Sequence, residues 1–363
     1  MNFFIIALCV FILFHIVGYY GLIRHISQKP KVKFLSGILT LLNCLLVVCF
    51  VAILIVLRVD FPRFVILILS LFILSAVLFF GFGVINAILL LIFRKSKEKR
   101  ILISRIMLII TSICFVFSIF NAAIMPQLTT QEILIPNLKQ EMTILMISDL
   151  HLSKFISKEK VSKIIDLANS TNPDIIVLVG DIIDAKESEI REFLPYLEKL
   201  RAKNGVYFTL GNHEFIFNVD KSLELIQSLP NVEILLNSSV VIDDNINLIG
   251  ISDLSGRRRG YLEPDIDLAM SKINKNLPSI VLSHQPNMIY EMPNNIDLML
   301  SGHTHGGQIF PFSIAVYFAN PFLYGLKSID NKRLYISQGA SLAVTFGRLG
   351  SRAEINLITL KMI

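Results

Sequence analysis

Five histidines in the last two thirds of the chain fall in short polar stretches, each of which directly follows an apolar segment. The stretches are SDLHL (148–152), GNHE (211–214), SHQP (283–286) and GHTHGGQ (302–308), and a fifth, GDIID (180–184), has the same setting without a histidine. Histidines with only structural roles would be scattered over core and surface. Their clustering beside Asp149, Asp181 and Asn212 instead predicts one functional site.

The side chains in these stretches suit a metal centre. Imidazole nitrogen, carboxylate oxygen and carboxamide oxygen, in the absence of thiolates, favour Zn²⁺, Mn²⁺ or iron. Two such ions about 3.5–4 Å apart clamp both the attacking and the leaving oxygen in phosphoryl transfer, and a shared carboxylate would hold such a pair. The glycines let the backbone turn sharply and approach the ions closely. The residue types therefore predict metal-dependent phosphoryl chemistry.

The elements that position these stretches alternate between strand and helix. Apolar strands are predicted over 141–152, 173–184, 206–214, 279–286 and 296–309, and helices over 157–172, 188–205 and 220–229. This alternation, with near-continuous apolar strands, predicts an α/β sheet covered on both faces. Because sites in such sheets lie beyond the carboxyl ends of the strands, all five stretches are expected at one edge of the sheet.

Taken together, the five stretches resemble the signature of the calcineurin-like metallophosphoesterases. D-x-H at 149–151, G-D at 180–181, G-N-H-E at 211–214, the histidine of S-H-Q-P and G-H-T-H at 302–305 match it in order and spacing. The forms SDLHL, SHQP and GHTHGGQ and the ending GRLGSRAEI are similar to the membrane-anchored bacterial branch, whose relatives include enzymes acting on UDP-2,3-diacylglucosamine. The resemblance implies a calcineurin-like αββα sandwich of two mixed sheets flanked by helices.

The resemblance also implies a role for each residue of the signature. Two divalent transition-metal ions, Mn, Fe or Zn, would be bound. The first ion would be held by Asp149, His151 and His305, the second by Asn212, His284 and His303, and Asp181 would bridge them. His213 would be the catalytic residue that faces the phosphate, stabilises transition-state charge and protonates the leaving oxygen, with a metal-bound hydroxide as the nucleophile.

Further residues have weaker support. Asp184 is expected either to orient a ligand from behind or to be solvated in a turn, and Glu214 to support the site from behind the ligands. Arg257, Arg258 and Arg259 are weak candidates for binding a phosphate or an anionic head group, since a solvated loop is the favoured explanation of three consecutive arginines. Two later aromatic residues, Phe310 and Phe312, are expected in the core rather than against lipid.

Four apolar runs in the first third of the chain predict four transmembrane helices. Residues 3–23, 34–57 and 64–93 carry no Asp, Glu, Lys or Arg, and residues 101–125 carry only Arg105. Each run is long enough to cross a hydrocarbon core of about 30 Å as a helix. The whole 363-residue chain is 53% hydrophobic, which is too apolar for an ordinary soluble protein.

Loop charges predict the orientation of these helices. Residues 24–33 carry four Lys and Arg and residues 94–100 carry five, residues 58–63 carry two Arg, and residues 121–137 carry none. The positive-inside rule places the two rich loops in the cytoplasm and everything after residue 125 outside it. All four cysteines lie in the apolar runs, which agrees with an oxidising exterior for the rest of the chain.

The charge is divided unevenly along the chain. Residues 1–125 hold 12 basic and 2 acidic residues, whereas residues 126–363 hold 22 basic and 26 acidic residues. The net charge of +6 is therefore a property of the membrane loops, and the soluble part lacks the basic excess that nucleic-acid binding usually needs. No nucleic-acid partner is expected.

The sequence predicts a transmembrane region over 1–125, a linker over 126–140 and a metallophosphoesterase domain over 141–363. We expect a multi-pass cell-membrane protein whose partners are the lipid bilayer and a phosphorylated small-molecule or lipid substrate. The reaction would be hydrolysis of a phosphate ester or pyrophosphate bond, hypothetically of a phosphorylated lipid or cell-envelope intermediate, because the short linker keeps the domain near the bilayer. The alternatives are a nuclease of the same fold and a catalytically inactive binding or scaffold protein.

Overall fold

The computed structural model describes residues 2–53, 61–320, 322–343 and 345–363. These residues divide into two compact units. The first contains the described residues up to Ala123 together with Ile309–Ala315 and the described part of 344–350. The second contains Ile124–Gln308, the described part of 316–343 and Ser351–Ile363.

The first unit is built on four helices. They are α1 (Asn2–Gly21), α2 (Pro30–Ala52), α3 (Arg63–Ile92) and α4 (Lys97–Ala123), and in the described part of the chain these are four helices long and apolar enough to cross a membrane. The predicted four-helix region is thus confirmed. Residues 54–57 of the second apolar run and residues 58–60 of the loop after it lie outside the described residues.

Small and polar residues hold the helices together. A Cβ on Gly21 would collide with the carbonyl oxygen of Gly83 in α3, so α1 and α3 approach closely only because glycine stands there. The side-chain amide of Asn86 donates hydrogen bonds to the Gly21 carbonyl at 2.7 Å and to Ser104 Oγ at 3.0 Å. Asn86 therefore joins α1, α3 and α4.

Two six-stranded sheets form the centre of the second unit. In spatial order, the first sheet contains β1 (Gln127–Ile135), β12 (Glu354–Met362), β2 (Met142–Ile147), β3 (Ile175–Val179), β4 (Val206–Thr209) and β5 (Val232–Ile234). The second contains β10 (Gly325–Ile329), β11 (Lys332–Ile336), β9 (Leu298–Ser301), β8 (Ser279–Leu282), β7 (Ile246–Gly250) and β6 (Ser238–Ile242). Both sheets mix parallel and antiparallel pairs, as the resemblance implies.

Helices accompany the sheets, and side-chain alternation along the strands explains the layers. The helices are α5 (Lys158–Ser170), α6 (Glu187–Ile190), α7 (Leu194–Leu197), α8 (Asn212–Phe217), α9 (Val219–Gln227), α10 (Ser255–Arg259), α11 (Ile266–Met270) and α12 (Ser313–Ala319). In β2, Ile144 and Met146 join the apolar cluster shared by both sheets. Leu145 and Ile147 join the cluster that contains Val161 of α5. Successive strand residues point to opposite faces, so one strand serves both layers.

The expectation that all five polar stretches lie at one edge of a single sheet is wrong. SDLHL, GDIID and GNHE follow β2, β3 and β4 of the first sheet, whereas SHQP and GHTHGGQ follow β8 and β9 of the second. After β5 the chain leaves the first sheet and builds the second. Strand and helix alternation predicts the elements but contains no signal for this change of sheet.

Two segments differ from the sequence-based expectation. The helix predicted over 188–205 is two four-residue helices, α6 and α7, because Pro195 in the first turn of α7 lacks the N–H that a continuous helix needs. The linker predicted over 126–140 contains β1, which pairs in parallel with β12 from Gln127 to Ile135. Ile133 and Ile135 of β1 are buried, so this segment belongs to the sheet.

Candidate metal centre

Residues from both sheets form two groups of potential metal ligands. The first group is Asp149, His151 and His305, and the second is Asp181, His284 and His303; within each group the ligand atoms lie within 4.8 Å of one another.

Distances define the first group and connect it to the second. Asp149 Oδ1 lies 3.3 Å from His305 Nε2, and His151 Nε2 lies 3.0 Å from His305 Nε2. Asp181 Oδ2 is 3.9 Å from His151 Nε2 and 3.1 Å from His284 Nε2. The Asp181 carboxylate therefore stands between the two groups, where a bridging ligand would stand.

Asn212 completes the second group. Its side-chain oxygen lies 2.7 Å from His303 Nδ1, so the carboxamide of GNHE meets the first histidine of GHTH across the two sheets. Burial and the nearby charge of His284 lower the pKa of His303 to about 4. A neutral imidazole is the form that binds metal, so His303 is available as a ligand at neutral pH.

The nitrogen atoms of the site are arranged for cations. His151 Nδ1 donates to Asp184 Oδ2 at 3.0 Å and His284 Nδ1 donates to the Val179 carbonyl at 3.0 Å, which turns both Nε2 atoms into the site. His284 Nε2 is buried and lies 3.1 Å from Asp181 Oδ2. Burial lowers the pKa of the His284 ring, but the charge of Asp181 outweighs burial and raises this pKa well above its usual range in the metal-free site. The Nε2 atoms of His151 and His305 lie 3.0 Å apart. Buried imidazole nitrogens that converge on carboxylates in this way fit divalent ions.

The backbone at the predicted ligands adopts a conformation that most residues avoid. Five of them have φ between 44° and 71°: Asp149, His151, Asp181, His303 and His305. Non-glycine residues in this left-handed region are strained, and such residues cluster at functional sites where the surrounding fold enforces them. Gly302 provides space for this arrangement, because a Cβ there would collide with Asp149 Oδ2.

His213 lies beside the ligand groups and is held by a carboxylate. Its Nδ1 donates to Asp184 Oδ1 at 2.5 Å, its backbone N–H donates to Asp181 Oδ1 at 2.8 Å, and its Nε2 is 3.9 Å from Asp181 Oδ2. Burial lowers the pKa of His213, but the hydrogen bond to Asp184 and the charges of Asp181, Asp184 and Glu214 outweigh it and raise this pKa to about 9.

Asp184 is not the solvated turn residue that the sequence leaves open. It accepts hydrogen bonds from both His151 and His213. Burial raises the pKa of Asp184, but the two histidines lower it further than burial raises it, so the net direction is downward. His151, Asp184 and His213 also form a third group of possible ligand atoms. However, Asp184 already occupies the Nδ1 atoms of both rings, so this group is better described as a hydrogen-bonded chain.

Glu214 supports the loop that carries Asp181. Its buried carboxylate accepts backbone hydrogen bonds from Asp181 at 3.1 Å, Ile182 at 2.8 Å, Ile183 at 2.9 Å and Gly211 at 2.8 Å. The sequence gives only a weak signal for this role, namely a glutamate directly after the histidine of GNHE. Glu214 can take this role because the fold brings the loops after β3 and β4 together.

The three arginines of α10 have a different setting. Arg257 donates to both oxygens of Glu291, at 2.7 and 2.5 Å, so its guanidinium is already committed to a protein carboxylate. Arg258 and Arg259 are exposed. The three arginines therefore lie on a solvated surface and not among the predicted metal ligands.

Known proteins resemble this chain over the same residues. Residues 142–307 match the family model described as calcineurin-like phosphoesterase. An uncharacterised metallophosphoesterase of Campylobacter jejuni is 34% identical over 284 residues, which cover 76% of this chain and 75% of that protein. A transmembrane protein with metallophosphoesterase domain from Danio rerio is 32% identical over 304 residues, covering 78% of this chain and 69% of that protein.

A mammalian protein shows the same combination of membrane region and domain. The transmembrane protein with metallophosphoesterase domain from Bos taurus is 35% identical over 271 residues, which cover 69% of this chain and 61% of the bovine protein. The residues matched by the family model, 142–307, contain all the predicted ligands. This chain therefore belongs to the calcineurin-like metallophosphoesterases, the metal-dependent enzymes that hydrolyse phosphoester bonds.

Proposed function

We propose that this protein is a membrane-tethered phosphoesterase with a dinuclear metal centre that acts on phosphorylated lipids or lipid-linked cell-envelope intermediates from the extracytoplasmic side. The observation that carries the dinuclear assignment is the position of Asp181 between two separate ligand groups, with Asp181 Oδ2 3.9 Å from His151 of the first group and 3.1 Å from His284 of its own group.

Each residue of the site has one task in this proposal. Asp149, His151 and His305 would hold one divalent ion, Asn212, His284 and His303 the other, and Asp181 both. When bound, such ions neutralise charge on the phosphoryl oxygens and lower the pKa of a water molecule. Glu214 fixes the backbone of the Asp181 loop through three hydrogen bonds and that of Gly211 through a fourth, so the Asp181 carboxylate is held in place before substrate arrives.

His213 supplies the proton. With a pKa raised to about 9 in the metal-free site, its ring is protonated at neutral pH and Nε2 carries a hydrogen. Asp184 holds Nδ1, so the proton available for the leaving oxygen is the one on Nε2. The same charged ring stabilises negative charge that develops on the phosphoryl group.

The substrate assignment rests on the membrane region. Only residues 124–126 separate the end of α4 from the start of β1, so the chain between membrane helix and sheet is short. A short tether raises the effective concentration of substrates that are themselves confined to the bilayer. This argument favours a phosphate ester on a lipid over a freely diffusing one.

A substrate panel on the purified full chain tests the reaction. A phosphomonoester, a phosphodiester and a pyrophosphate are supplied with Mn²⁺ to the natural chain and to Asp181→Ala and His213→Ala variants. We expect hydrolysis of at least one compound by the natural chain and its loss in both variants. Turnover of nucleic acid alone would support a nuclease, and no turnover of any compound would support an inactive scaffold.

A second comparison tests the substrate class. kcat/KM is measured for one head group as a water-soluble ester and as a lipid in mixed micelles, with the natural chain and with Arg257, Arg258 and Arg259 replaced by Ala. The proposal predicts a higher value for the lipid. If the soluble ester is the better substrate and the arginines have no effect, the lipid assignment fails while the phosphoesterase assignment stands.

A further inference from the structure

A long uncharged segment follows the second histidine of GHTH. Residues 306–326 contain no Asp, Glu, Lys or Arg. The aromatic residues of this segment are Phe310, Phe312, Tyr317, Phe318, Phe322 and Tyr324. Helix α12 lies within it, and no residue of α12 is buried.

One side of α12 is apolar and open. Ile314 is 52% exposed, Tyr317 52% and Phe318 82%. Positions i, i+3 and i+4 lie on one face of a helix, so these three side chains form a single patch, which we call the α12 face. Phe310 and Phe312, expected in the core, are also 39% and 48% exposed. Contiguous exposed apolar surface of this kind marks a binding surface.

The segment that leads into α12 is fixed among the membrane helices. Ile309–Ala315, including the first three residues of α12, belongs to the same compact unit as α1 to α4. Pro311 packs against Gly81 of α3, where a Cβ would collide with the proline ring, and Ile309 joins the cluster that contains Leu74 and Leu78. Gly81 is 18 residues beyond Arg63, the first residue of the 30-residue α3, so this contact falls well inside the span.

A second segment, residues 345–349, forms hydrogen bonds with the Ile309–Ala315 segment and with the membrane helices. The backbone N–H of Phe310 donates to the Leu349 carbonyl at 2.7 Å, and that of Arg348 donates to the Ser118 carbonyl at 3.0 Å. Thr345 Oγ1 donates to the Ser70 carbonyl at 2.7 Å. Non-helical backbone is tolerated at membrane depth only where protein groups satisfy it. These hydrogen bonds satisfy backbone groups of the two segments and of the helices that would otherwise lack partners among the membrane helices.

We propose that α12 is a lipid-contacting helix whose Ile314, Tyr317 and Phe318 bind the bilayer that α1 to α4 cross. The bilayer is the occupant because the residues before α12 pack on helices that are long and apolar enough to cross a membrane, and these helices expose large apolar side chains such as Phe120, which is 64% exposed. An uncharged segment with an exposed aromatic and aliphatic helix face is the type of surface that enters the boundary between head groups and acyl chains.

The α12 segment returns to the metal-ligand loop. Thr304 Oγ1, between His303 and His305, donates to the Leu323 carbonyl at 2.5 Å. The chain therefore leaves the loop that supplies two predicted ligands, forms α12, and contacts the same loop again at Leu323. Lipid contact of α12 is expected whichever phosphate ester the enzyme hydrolyses, so this proposal does not depend on the substrate assignment.

The chain contains no tryptophan, which allows a direct test with single reporters. Phe318→Trp is made in the full chain and reconstituted in nanodiscs with brominated or ordinary phosphatidylcholine. Phe120→Trp, at a position 64% exposed on α4, reports a lipid-facing site, and Leu268→Trp, 57% exposed on α11, reports a site in the second unit. Tyr317→Trp is a second reporter on the α12 face.

We expect brominated lipid to reduce the emission of Phe318→Trp and Tyr317→Trp as strongly as that of Phe120→Trp, with blue-shifted spectra and weak quenching by aqueous acrylamide. Leu268→Trp should show the opposite pattern. Acrylamide quenching of the α12 reporters equal to that of Leu268→Trp would overturn the proposal. Protection of these reporters from both quenchers would also overturn it, because protein, such as a second copy of the chain, would then cover the helix.

Discussion

At the scale of single residues, the site depends on side chains that are not themselves predicted ligands. Asp184 accepts hydrogen bonds from His151 and from His213, so one carboxylate orients a ligand and the predicted acid. Glu214 fixes the backbone of Asp181 and of the two residues that follow it. These contacts restrict rotamers, which is how a site keeps its geometry within the tolerance that catalysis requires.

Replacement of His213 tests its catalytic role. We expect His213→Ala to lower kcat by about 10²–10⁴, the usual effect of removing a general acid, while the bound metal content is unchanged. Elemental analysis beside the kinetics separates the two effects, and Asp181→Ala is the matched variant that should lose metal. A loss of metal from His213→Ala equal to that from Asp181→Ala would make His213 a ligand.

Replacement of Asp184 tests how the charge on His213 is set. Asp184→Asn removes the hydrogen-bonding carboxylate that raises the pKa of His213 to about 9. Burial lowers this pKa, and without the Asp184 carboxylate fewer groups counteract burial. The pKa of His213 should therefore fall, and the ring should lose its proton at a lower pH. Histidine-labelled NMR of the chelator-treated full chain measures this pKa, and the exposed Asp166→Asn is the control. An unchanged pKa in Asp184→Asn would remove Asp184 from this role.

The residue types of the centre are predictable from sequence, but the functions of Asp184 and Glu214 are less so. Asp149, His151, His303 and the other predicted ligands stand out because every histidine after residue 126 directly follows an apolar strand. A buried carboxylate that accepts backbone hydrogen bonds has no such signal. Its partners come from a neighbouring strand loop, and their approach depends on the order of strands in the sheet.

At the scale of elements, β1 is the largest difference between expectation and structure. The segment 126–140 has two prolines and polar residues, which are typical of a connector. Among the described residues its strand pairs with β12, more than 200 residues later, so the stabilising partner is distant in sequence. By contrast, β2, β3 and β4 are mostly apolar and are evident from sequence because both of their faces are buried.

A pair of neighbouring substitutions tests whether β1 is part of the folded sheet. Ile133 is 2% exposed and Leu134 is 54% exposed. Ile133→Ala should lower the free energy of unfolding by about 2–5 kcal/mol, the usual cost of truncating a large apolar side chain in a packed core. Leu134→Ala should change it by no more than about 0.5 kcal/mol. Pulse proteolysis in urea on the detergent-solubilised full chain compares them, and equal, small effects would indicate a free linker.

At the scale of the whole molecule, the side of the membrane on which the phosphoesterase unit lies determines which phosphate esters it reaches. The loops at 24–33 and 94–100 carry nine Lys and Arg between them. Arg24 and Lys33 from the first loop and Arg94, Lys95 and Arg100 from the second line one cavity of the helical unit. Both loops therefore lie at one end of the bundle, as a common cytoplasmic location requires.

Proteolysis of intact cells tests this orientation. Protease added to spheroplasts should cleave within 126–363 and leave the 24–33 and 94–100 loops intact, because the positive-inside rule places those loops in the cytoplasm. Cleavage is followed with tags in each segment. Protection of 126–363 until the membrane is broken would reverse the orientation and place the substrate in the cytoplasm.

The metal content of the purified full chain tests the account most directly. Two separate groups of potential ligands, with Asp181 proposed to bridge them, predict two divalent transition-metal ions per chain, with activity that a chelator removes and Mn²⁺ restores. Elemental analysis before and after chelation, on the natural chain and on Asp181→Ala, provides the measurement. The account predicts two ions in the natural chain and fewer in the variant. No bound metal in the natural chain, together with no activity after Mn²⁺ is added, would contradict it.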